Sequence, residues 1–336
     1  MLVDGGLGLD PSDAVETARR AEADGFDGLW CAETSHDPFL PLLLAAEHTE
    51  RIQLGTGIAV AFARNPMSTA VLANDLHRYS QGRFMLGLGS QIKPHIEKRY
   101  AMPWSRPAAR MREFVMAMRA IWTAWQERSK LAFRGDFYTH TLMTPMFDPG
   151  PNPYGTPRVF VAAVGERMTE VAGEVADGLL AHGFTTERYM RERSIPALER
   201  GLARGGRTRS DFEVSYPAMV ITGTNEDEMR AAEVAVKAQL SFYASTPAYR
   251  PVLDIHGWGD LFGELNALSK KGQWGQMAEL IHDDMLDAFA VRGEPEEIPR
   301  KVIDRYGDLV TRVSVYAPYR ISRERWSKVL EGFRAG

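Results

Sequence analysis

Residues 157–184, PRVFVAAVGERMTEVAGEVADGLLAHGF, decide the fold. The short apolar run from Arg158 to Ala163 is typical of a strand that is buried on both faces. Apolar residues then recur at helical spacing from Met168 to Ala176, with charged residues on the opposite face. A second apolar run, from Gly178 to His182, follows. This strand–helix–strand pattern predicts two parallel strands joined by a helix.

The same alternation extends over most of the 336 residues. Eight strands are predicted: Leu2–Leu7, Gly28–Ala32, Ile52–Val60, Arg83–Gly87, Arg158–Ala163, Gly178–His182, Phe212–Thr222 and Arg312–Ala317. Outer-ring helices are predicted at Asp13–Asp24, Met67–Tyr79, Arg106–Trp125, Met168–Ala176, Thr186–Arg204 and Glu226–Tyr243. The pattern indicates an α/β fold of the (β/α)8 TIM-barrel type, as a single domain over residues 1–336.

Two stretches are longer than a minimal barrel requires, and we interpret them as insertions near 130–157 and 246–287. Loops of that size in βα connections are usually lids or binding elements, although an outer cap or an oligomer contact fits equally well. If the first insertion folds over the barrel mouth, it brings an adaptable apolar lining; otherwise the same residues pack between helices. These residues are Trp104, Phe133, Phe137, Tyr138, Met143 and Met146.

Composition excludes several classes of protein. A formal net charge of -4 without long like-sign runs gives no footprint for nucleic acid or an anionic membrane. The single cysteine, Cys31, cannot form an intramolecular disulfide, and the first residues lack the features of a signal peptide. The longest apolar run, Pro38 to Ala46, is half the length needed to cross a bilayer. We therefore expect a cytoplasmic protein without a membrane span.

In a TIM barrel, function lies at the carboxyl ends of the strands. The second strand is followed by ETSHDP, which brings Glu33 and His36 to the barrel mouth as candidates for proton transfer. Alternatively, Glu33 binds a neighbouring backbone amide and His36 shapes the turn. No metal site is predicted, because the other histidines are scattered without ligand spacing.

Glycines interrupt the third and fourth strands. Gly55 and Gly57 lie within the third, and the fourth ends in Gly87, Gly89 and Ser90. Glycine inside a strand often marks a bulge or the close approach of a ligand. The GLGS pattern is not a dinucleotide fingerprint, because no GxGxxG opens a helix there.

The fifth strand runs into a helix start at Gly165. Free backbone amides, the helix dipole, Arg167 and the Thr169 hydroxyl together predict a phosphate cradle, with ordinary capping as the alternative. The sixth strand places His182 beside this cradle.

These segments together resemble the bacterial luciferase-like flavin monooxygenase superfamily, and within it the coenzyme F420-dependent oxidoreductases. The matching segments are GFDGLWCAE, ERIQLGTGIAV with NPMSTA, GRFMLGLGS, PRVFVAAVG with EVAGEVADGLL, and FAVRGEPEEIPRKV. Their order and spacing, rather than any one of them, carry the resemblance.

The resemblance implies a cofactor ring at the barrel mouth, seated against a bulge in strand three with a cis peptide at Gly57–Ile58. The cofactor is expected to be F420, with FMN as the alternative. Its phosphate-bearing tail is expected to meet Ala163, Val164, Gly165 and Thr169. With these we group as cofactor-binding candidates the neighbouring strand-end residues Gly89, Ser90 and His182. A homodimer and a small organic substrate are also implied.

Two departures bear on the substrate. F420-dependent glucose-6-phosphate dehydrogenases end strand two in Asp-His, where this chain has Glu33-Thr34, and they carry a Glu after strand four that is missing from Ser90–Lys93. Sugar-phosphate oxidation is therefore not predicted. We expect hydride transfer between F420 and an unidentified organic substrate, with Glu33 or His36 supplying the proton. His95 and His182 are further candidates for handling the proton. An FMN-dependent monooxygenase and a non-catalytic cofactor-binding barrel are the alternatives.

Overall fold

The computed structural model describes residues 1–335. Its strands are β1 Leu2–Gly6, β2 Gly28–Cys31, β3 Gln53–Thr56, β4 Ala59–Val60, β5 Phe84–Gly89, β6 Phe133–Arg134, β7 Thr139–His140, β8 Arg158–Ala163, β9 Gly178–Ala181, β10 Glu213–Thr222, β11 Ala290–Gly293 and β12 Arg312–Tyr316. Its helices are α1 Ala14–Asp24, α2 Phe39–Glu47, α3 Pro66–Tyr79, α4 Pro107–Glu127, α5 Glu166–Val175, α6 Glu187–Tyr189, α7 Ile195–Arg204, α8 Glu226–Ala244, α9 Arg250–Asp254, α10 Leu261–Lys270, α11 Trp274–Glu279, α12 Asp283–Phe289, α13 Ile298–Tyr306 and α14 Arg323–Ala335.

Eight parallel strands close into a ring in the order β1, β2, β3, β5, β8, β9, β10 and β12. The ring closes where β12 pairs with β1, with Leu2 opposite Arg312. On the other side β12 pairs with β10, and β10 pairs with β9. The predicted (β/α)8 barrel is confirmed, and each predicted strand lies at a strand of the ring.

The third predicted strand, Ile52–Val60, divides into β3 and β4, and the chain bulges between Thr56 and Ala59. Backbone hydrogen bonds from Gly57 N to Cys31 O (2.7 Å) and from Glu33 N to Ile58 O (3.1 Å) span the bulge. The Gly57–Ile58 peptide bond is trans, so the expected cis peptide was wrong. Here the two hydrogen bonds, rather than a cis bond, carry the chain past the bulge.

The first insertion lies elsewhere than predicted. Lys130–Pro157 joins α4 to β8, so it leaves a helix at the amino-terminal end of the barrel rather than projecting from a βα connection. Its hairpin of β6 and β7 returns along the outside of α4, where the Glu113 carboxylate accepts hydrogen bonds from the amides of Asp136, Phe137 and Tyr138.

The aromatic residues of this region therefore do not form a lining over the mouth. Tyr138 packs edge-on against Phe114 of α4, at 5.6 Å between ring centroids, and Met143 accepts a hydrogen bond from Trp125. Trp104 packs against Phe62, and Met146 is 90% exposed. Packing on the outer helix α4, the alternative, describes Tyr138 and Met143, whereas Trp104 packs on the turn after β4.

The second insertion does project from the carboxyl end of a strand. After β10 the chain forms α8 to α12 and then β11, which pairs in parallel with the last residues of β10. A second hydrophobic cluster, which includes Phe184, Leu240 and Phe289, joins this insertion to the barrel. The predicted outer-ring helix Glu226–Tyr243 belongs to this insertion.

In the outer ring, α13 occupies the position that was predicted for the helix Glu226–Tyr243. It packs against α14, and ion pairs connect its end to the segment after β9, from Arg191 to Asp308 (2.6 Å) and from Arg305 to Glu187 (3.5 Å). Within residues 1–335, no helix is both long and apolar enough to cross a membrane.

Candidate functional site

The floor of the barrel is a buried polar cluster around Arg312. Its guanidinium donates to both carboxylate oxygens of Asp4, and Nη1 reaches Gln53 Oε1 at 2.7 Å and Glu213 Oε2 at 3.1 Å. Because Gln53 lies on β3, which is not adjacent to β12, Arg312 must point into the barrel. Side chains alternate along a strand, so Ser314 and Tyr316 point inward as well.

Above this floor, Trp30 fills much of the barrel. Its indole Nε1 donates to Asp4 Oδ2 at 2.8 Å, and its ring meets Phe160 of β8 edge-on at 5.4 Å between centroids. A Cβ on Gly55 would lie 2.4 Å from the Trp30 ring. The missing side chain at Gly55 therefore makes room for a neighbouring side chain, not for a ligand as the sequence suggested.

The other strand glycines differ in what they face. A Cβ on Gly87 would meet the Thr56 carbonyl oxygen at 1.9 Å, and one on Gly89 would meet the Ile58 side chain at 2.4 Å. Gly57 is less crowded, since its nearest contact would be Trp30 at 3.0 Å, and it lines the cavity described next. Of the predicted ring-seat residues Gly57 and Ile58, Gly57 thus lines the cavity.

A cavity of about 820 Å³ opens above Trp30. Its inner part is lined by inward-facing residues of the barrel strands, namely Asp4, Gly6, Trp30, Gly57, Leu180, Ser215, Pro217, Ser314 and Tyr316. Its outer part runs between α1 and α14 and carries the charged side chains Arg20, Asp24, Arg320 and Arg323. A volume of this size accommodates a ligand of cofactor or drug size.

Glu33 holds the chain after the strand-three bulge. Its Oε2 accepts hydrogen bonds from the Val60 amide at 2.7 Å and from Arg64 Nη1 at 2.5 Å, and its Oε1 accepts one from the Tyr100 hydroxyl at 3.1 Å. The carboxylate is 8% exposed. Both oxygens are therefore engaged in structural contacts, and one of these is the backbone-amide contact given above as the alternative to proton transfer.

The histidines near the mouth differ in burial. His36 and His95 are exposed on the loops after β2 and β5. His182, at the end of β9, is nearly enclosed, and burial lowers its pKa to about 4. His182 is therefore a neutral imidazole near pH 7.

His182 is the centre of an aromatic cluster formed with the second insertion. Its Nδ1 accepts a hydrogen bond from the Phe184 amide at 3.0 Å, so the proton of the neutral ring is on Nε2, 3.1 Å from the Tyr249 hydroxyl oxygen. Tyr249 stacks on the imidazole, and Tyr243 meets it edge-on. Tyr243 in turn lies 3.4 Å from the Tyr316 hydroxyl, which connects the cluster to the cavity wall.

The predicted phosphate cradle is an open helix N-terminus. Gly165 is the N-cap of α5, it is exposed, and no side chain caps the helix there. A Cβ on Gly165 would meet nothing within 4 Å. The Thr169 hydroxyl, however, is buried and lies 3.2 Å from the Gly165 carbonyl, to which it donates. Free amides of the first turn, rather than Thr169, are presented to an anion.

Three further residues were predicted to contact the cofactor, namely Ala163, Val164 and Ser90. Ala163 ends β8, Val164 accepts a weak hydrogen bond from the Tyr189 hydroxyl at 3.3 Å, and Ser90 bonds to the Gln91 carbonyl. The sequence reasoning missed Trp30 and Tyr316, the two large side chains of the inner cavity. Both lie in strands that were predicted. Because side chains alternate along a strand, one known inward-facing residue would have shown that Trp30 and Tyr316 also point into the barrel.

Comparison with known proteins agrees with the barrel fold. The family model of luciferase-like monooxygenases matches residues 3–312. An uncharacterised protein of Mycobacterium tuberculosis is 59% identical over 313 residues, which cover 93% of this chain and 92% of that protein. The 5,10-methylenetetrahydromethanopterin reductase of Archaeoglobus fulgidus is 27% identical over 306 residues, which cover 89% of this chain and 87% of the reductase.

Among solved structures, the coenzyme F420-dependent tetrahydromethanopterin reductase of Methanopyrus kandleri is similar in fold, with a TM-score of 0.78 and 23% sequence identity. The match covers 98% of this chain and 96% of the reductase. The family match spans nearly all of the barrel, from β1 to the first residue of β12. The chain therefore belongs to the luciferase-like monooxygenase family.

Proposed function

We propose that this protein is an oxidoreductase that transfers hydride between coenzyme F420 and an organic substrate at the barrel mouth. One observation carries the proposal: a deep cavity with a largely uncharged inner part and an uncapped helix N-terminus lie at the same end of the barrel. A redox cofactor with a flat ring and a phosphate-bearing tail needs both features. The name of the Methanopyrus reductase, which includes coenzyme F420, supports this cofactor in particular.

The residues of this chain have distinct parts in the proposal. Gly57 and Trp30 would form the seat of the ring, and Ala163, Val164 and Gly165 would lie along the phosphate. When bound, the deazaflavin would supply the hydride chemistry. The protein would fix the geometry between the ring and the substrate.

The source of the proton stays a prediction. Glu33 and His36 are the predicted groups, but the Glu33 carboxylate is engaged by Val60, Arg64 and Tyr100. These contacts support a positioning part for Glu33, which fixes the bulge at Gly57. His36, by contrast, is exposed on the loop after β2 and has no hydrogen-bond partner among the described residues.

Titration of the cofactor-free protein with F420 and with FMN, followed by fluorescence, tests the cofactor. We expect F420 to bind at least about ten-fold more tightly than FMN. Binding of FMN alone would overturn the proposal in favour of a monooxygenase, the activity for which the family is named. If F420 binds at one site per chain but hydride reaches no acceptor, the non-catalytic barrel is favoured.

We also propose a homodimer that forms through α2 and α3. These helices pack against each other and expose Leu40, Leu43 and Leu44 of α2 with Val71 and Leu72 of α3. Leu40, Leu43 and Leu44 share one face of α2, because residues three and four apart are neighbours on a helix. An apolar patch on adjacent helices is suited to a two-fold contact with its own copy.

A further inference from the structure

The inner cavity presents hydroxyl groups on one wall and an aromatic ring on the other. Ser215 of β10 and Ser314 and Tyr316 of β12 face the cavity. Register places Ser215 beside Arg312 at the floor, so the three hydroxyls lie at successive heights. Ser314 and Tyr316 are two residues apart on one strand, which corresponds to roughly 7 Å.

These hydroxyls are weakly engaged by the protein. Among the described residues, neither serine side chain has a hydrogen-bond partner, and both line the cavity rather than being sealed in the core. Tyr316 has Tyr243 as its partner, at the long distance of 3.4 Å. Polar groups inside proteins normally have partners, so free hydroxyls in a cavity wall indicate where a ligand supplies them.

The inner cavity also lacks a free charge. Of the described residues that line it, Asp4 is the charged one. Its two oxygens accept hydrogen bonds from Arg312 Nε and Nη2 and from Trp30 Nε1, at 2.7 to 2.8 Å. A carboxylate, phosphate or ammonium group placed here would be removed from water without a counter-ion, at a large cost in free energy.

We infer that the part of the substrate that enters the barrel is an uncharged alcohol or carbonyl group on an apolar skeleton. Its oxygen would exchange hydrogen bonds with Tyr316 and Ser314, and its skeleton would lie against Trp30. This inference rests on the proposed function and specifies its substrate class. Oxidation of the alcohol removes a hydride from carbon and a proton from oxygen, and reduction of the deazaflavin takes up both. Reduction of the carbonyl is the reverse.

Saturation-transfer NMR with the full-length protein and three probes that share one ring tests the inference. The probes are cyclohexanone, cyclohexanecarboxylate and cyclohexylammonium, each with and without F420. We expect cyclohexanone to bind and each charged probe to bind at least about 30-fold more weakly. Equal or tighter binding of either charged probe overturns the inference, and so does failure of cyclohexanone to bind.

Single variants test whether the hydroxyls of Tyr316 and Ser314 bind cyclohexanone. Tyr316→Phe and Ser314→Ala should each weaken cyclohexanone binding by about three- to ten-fold, the value of one neutral hydrogen bond. Tyr79→Phe, which removes an exposed phenol from α3, should leave it unchanged. Thermal unfolding confirms that each variant is folded, and unchanged binding in both cavity variants contradicts the inference. Because the probes are measured without F420 as well, failure here is distinct from failure of F420 to bind.

Discussion

Arg312 and Asp4 form a two-pronged ion pair in the closed interior of the barrel. The guanidinium Nε lies 2.8 Å from Asp4 Oδ2, Nη2 lies 2.7 Å from Oδ1, and both side chains are 0% exposed. The pair joins the first and last strands of the ring, which are 308 residues apart in the chain. It therefore fixes the closure of the barrel at the same place as the floor of the cavity.

Loss of Arg312 should be strongly destabilising. Arg312→Met leaves the Asp4 carboxylate buried without its counter-ion, so we expect the free energy of unfolding to fall by about 3–5 kcal/mol in urea titrations. In the double variant Asp4→Asn, Arg312→Met, the charge on both partners is removed. The free energy of unfolding should fall less in the double variant than the sum of its decreases in Asp4→Asn and Arg312→Met alone. Strictly additive decreases would show that the two side chains are not coupled.

Glu33 should hold the strand-three bulge in position and should not transfer a proton. Glu33→Ala removes the acceptor for the Val60 amide and the Arg64 guanidinium, so F420 affinity should fall by about ten-fold. Glu33→Gln retains an acceptor for Val60 and should recover most of that affinity.

Asp37→Asn is the matched control, because Asp37 pairs with the same Arg64 at 3.0 Å but is 44% exposed. It should bind F420 like the unmodified protein. If Glu33→Gln binds F420 normally yet turnover and its pH profile collapse, Glu33 transfers a proton, and the positioning role is rejected.

His182 should make stability depend on pH. Its pKa is lowered to about 4 by burial, whereas an unfolded histidine titrates near pH 6.5. The unfolded state binds the proton first as pH falls, so this stabilisation is complete above about pH 6.5 and declines toward pH 4. Between pH 7 and pH 5 we expect its contribution to the free energy of unfolding to fall by about 2 kcal/mol.

Urea titrations at both pH values measure this dependence. His182→Asn keeps an acceptor for the Phe184 amide and should reduce the slope, while His77, His140 and His256, whose pKa values burial also lowers, keep their share of it. An unchanged slope in His182→Asn would assign the pH dependence to other groups.

Gly165 should control the binding of the phosphate. Its φ of -79° and the open space around it allow any side chain, so Gly165→Ala should fold and bind F420 normally. Gly165→Asp places a negative charge at the proposed phosphate position and should weaken F420 binding by about ten-fold, measured by fluorescence titration.

Gly263→Asp adds the same charge in the first turn of α10, at an open position away from the cradle. Its F420 affinity should match that of the unmodified protein. Equal affinities in the two aspartate variants would place the phosphate elsewhere.

Leu43 and Leu72 should support self-association. The double variant Leu43→Glu, Leu72→Glu puts charges in the apolar patch, and sedimentation analysis should show a shift from dimer to monomer. Val234→Glu, at a 62% exposed position on α8, serves as the control and should remain dimeric. A monomeric unmodified protein would contradict the proposed dimer directly.

The barrel could be predicted from sequence because its strands are buried on both faces and read as continuous apolar runs. Helix α2 was not predicted, since FLPLLLAAE is apolar nearly all round and lacks the polar face that marks an outer helix. The path of Lys130–Pro157 could not be predicted either. It depends on Glu113 binding three consecutive amides more than 20 residues away in the chain.

Part of the site could also be predicted from sequence, because the predicted strands fix where the strand ends lie. Strand ends indicated Gly165 and His182, but the surroundings of His182 come from Tyr243 and Tyr249 on the second insertion, more than 60 residues later. Glycine inside a strand predicted a bulge or the close approach of a ligand at Gly55, and the group that approaches is a side chain instead. Only the structure shows that this group is the indole of Trp30.

The fit of Trp30 over Gly55 means that one side chain sets how far the cavity descends into the barrel. A smaller residue at position 30 would open the space between Gly55 and Asp4, and no strand hydrogen bond would change. Asp4 would keep its ion pair with Arg312 but lose the hydrogen bond from the indole. The deepened part of the cavity would therefore be more polar than the present cavity. Residue 30 is thus a position where one substitution would change both the depth and the polarity of the cavity.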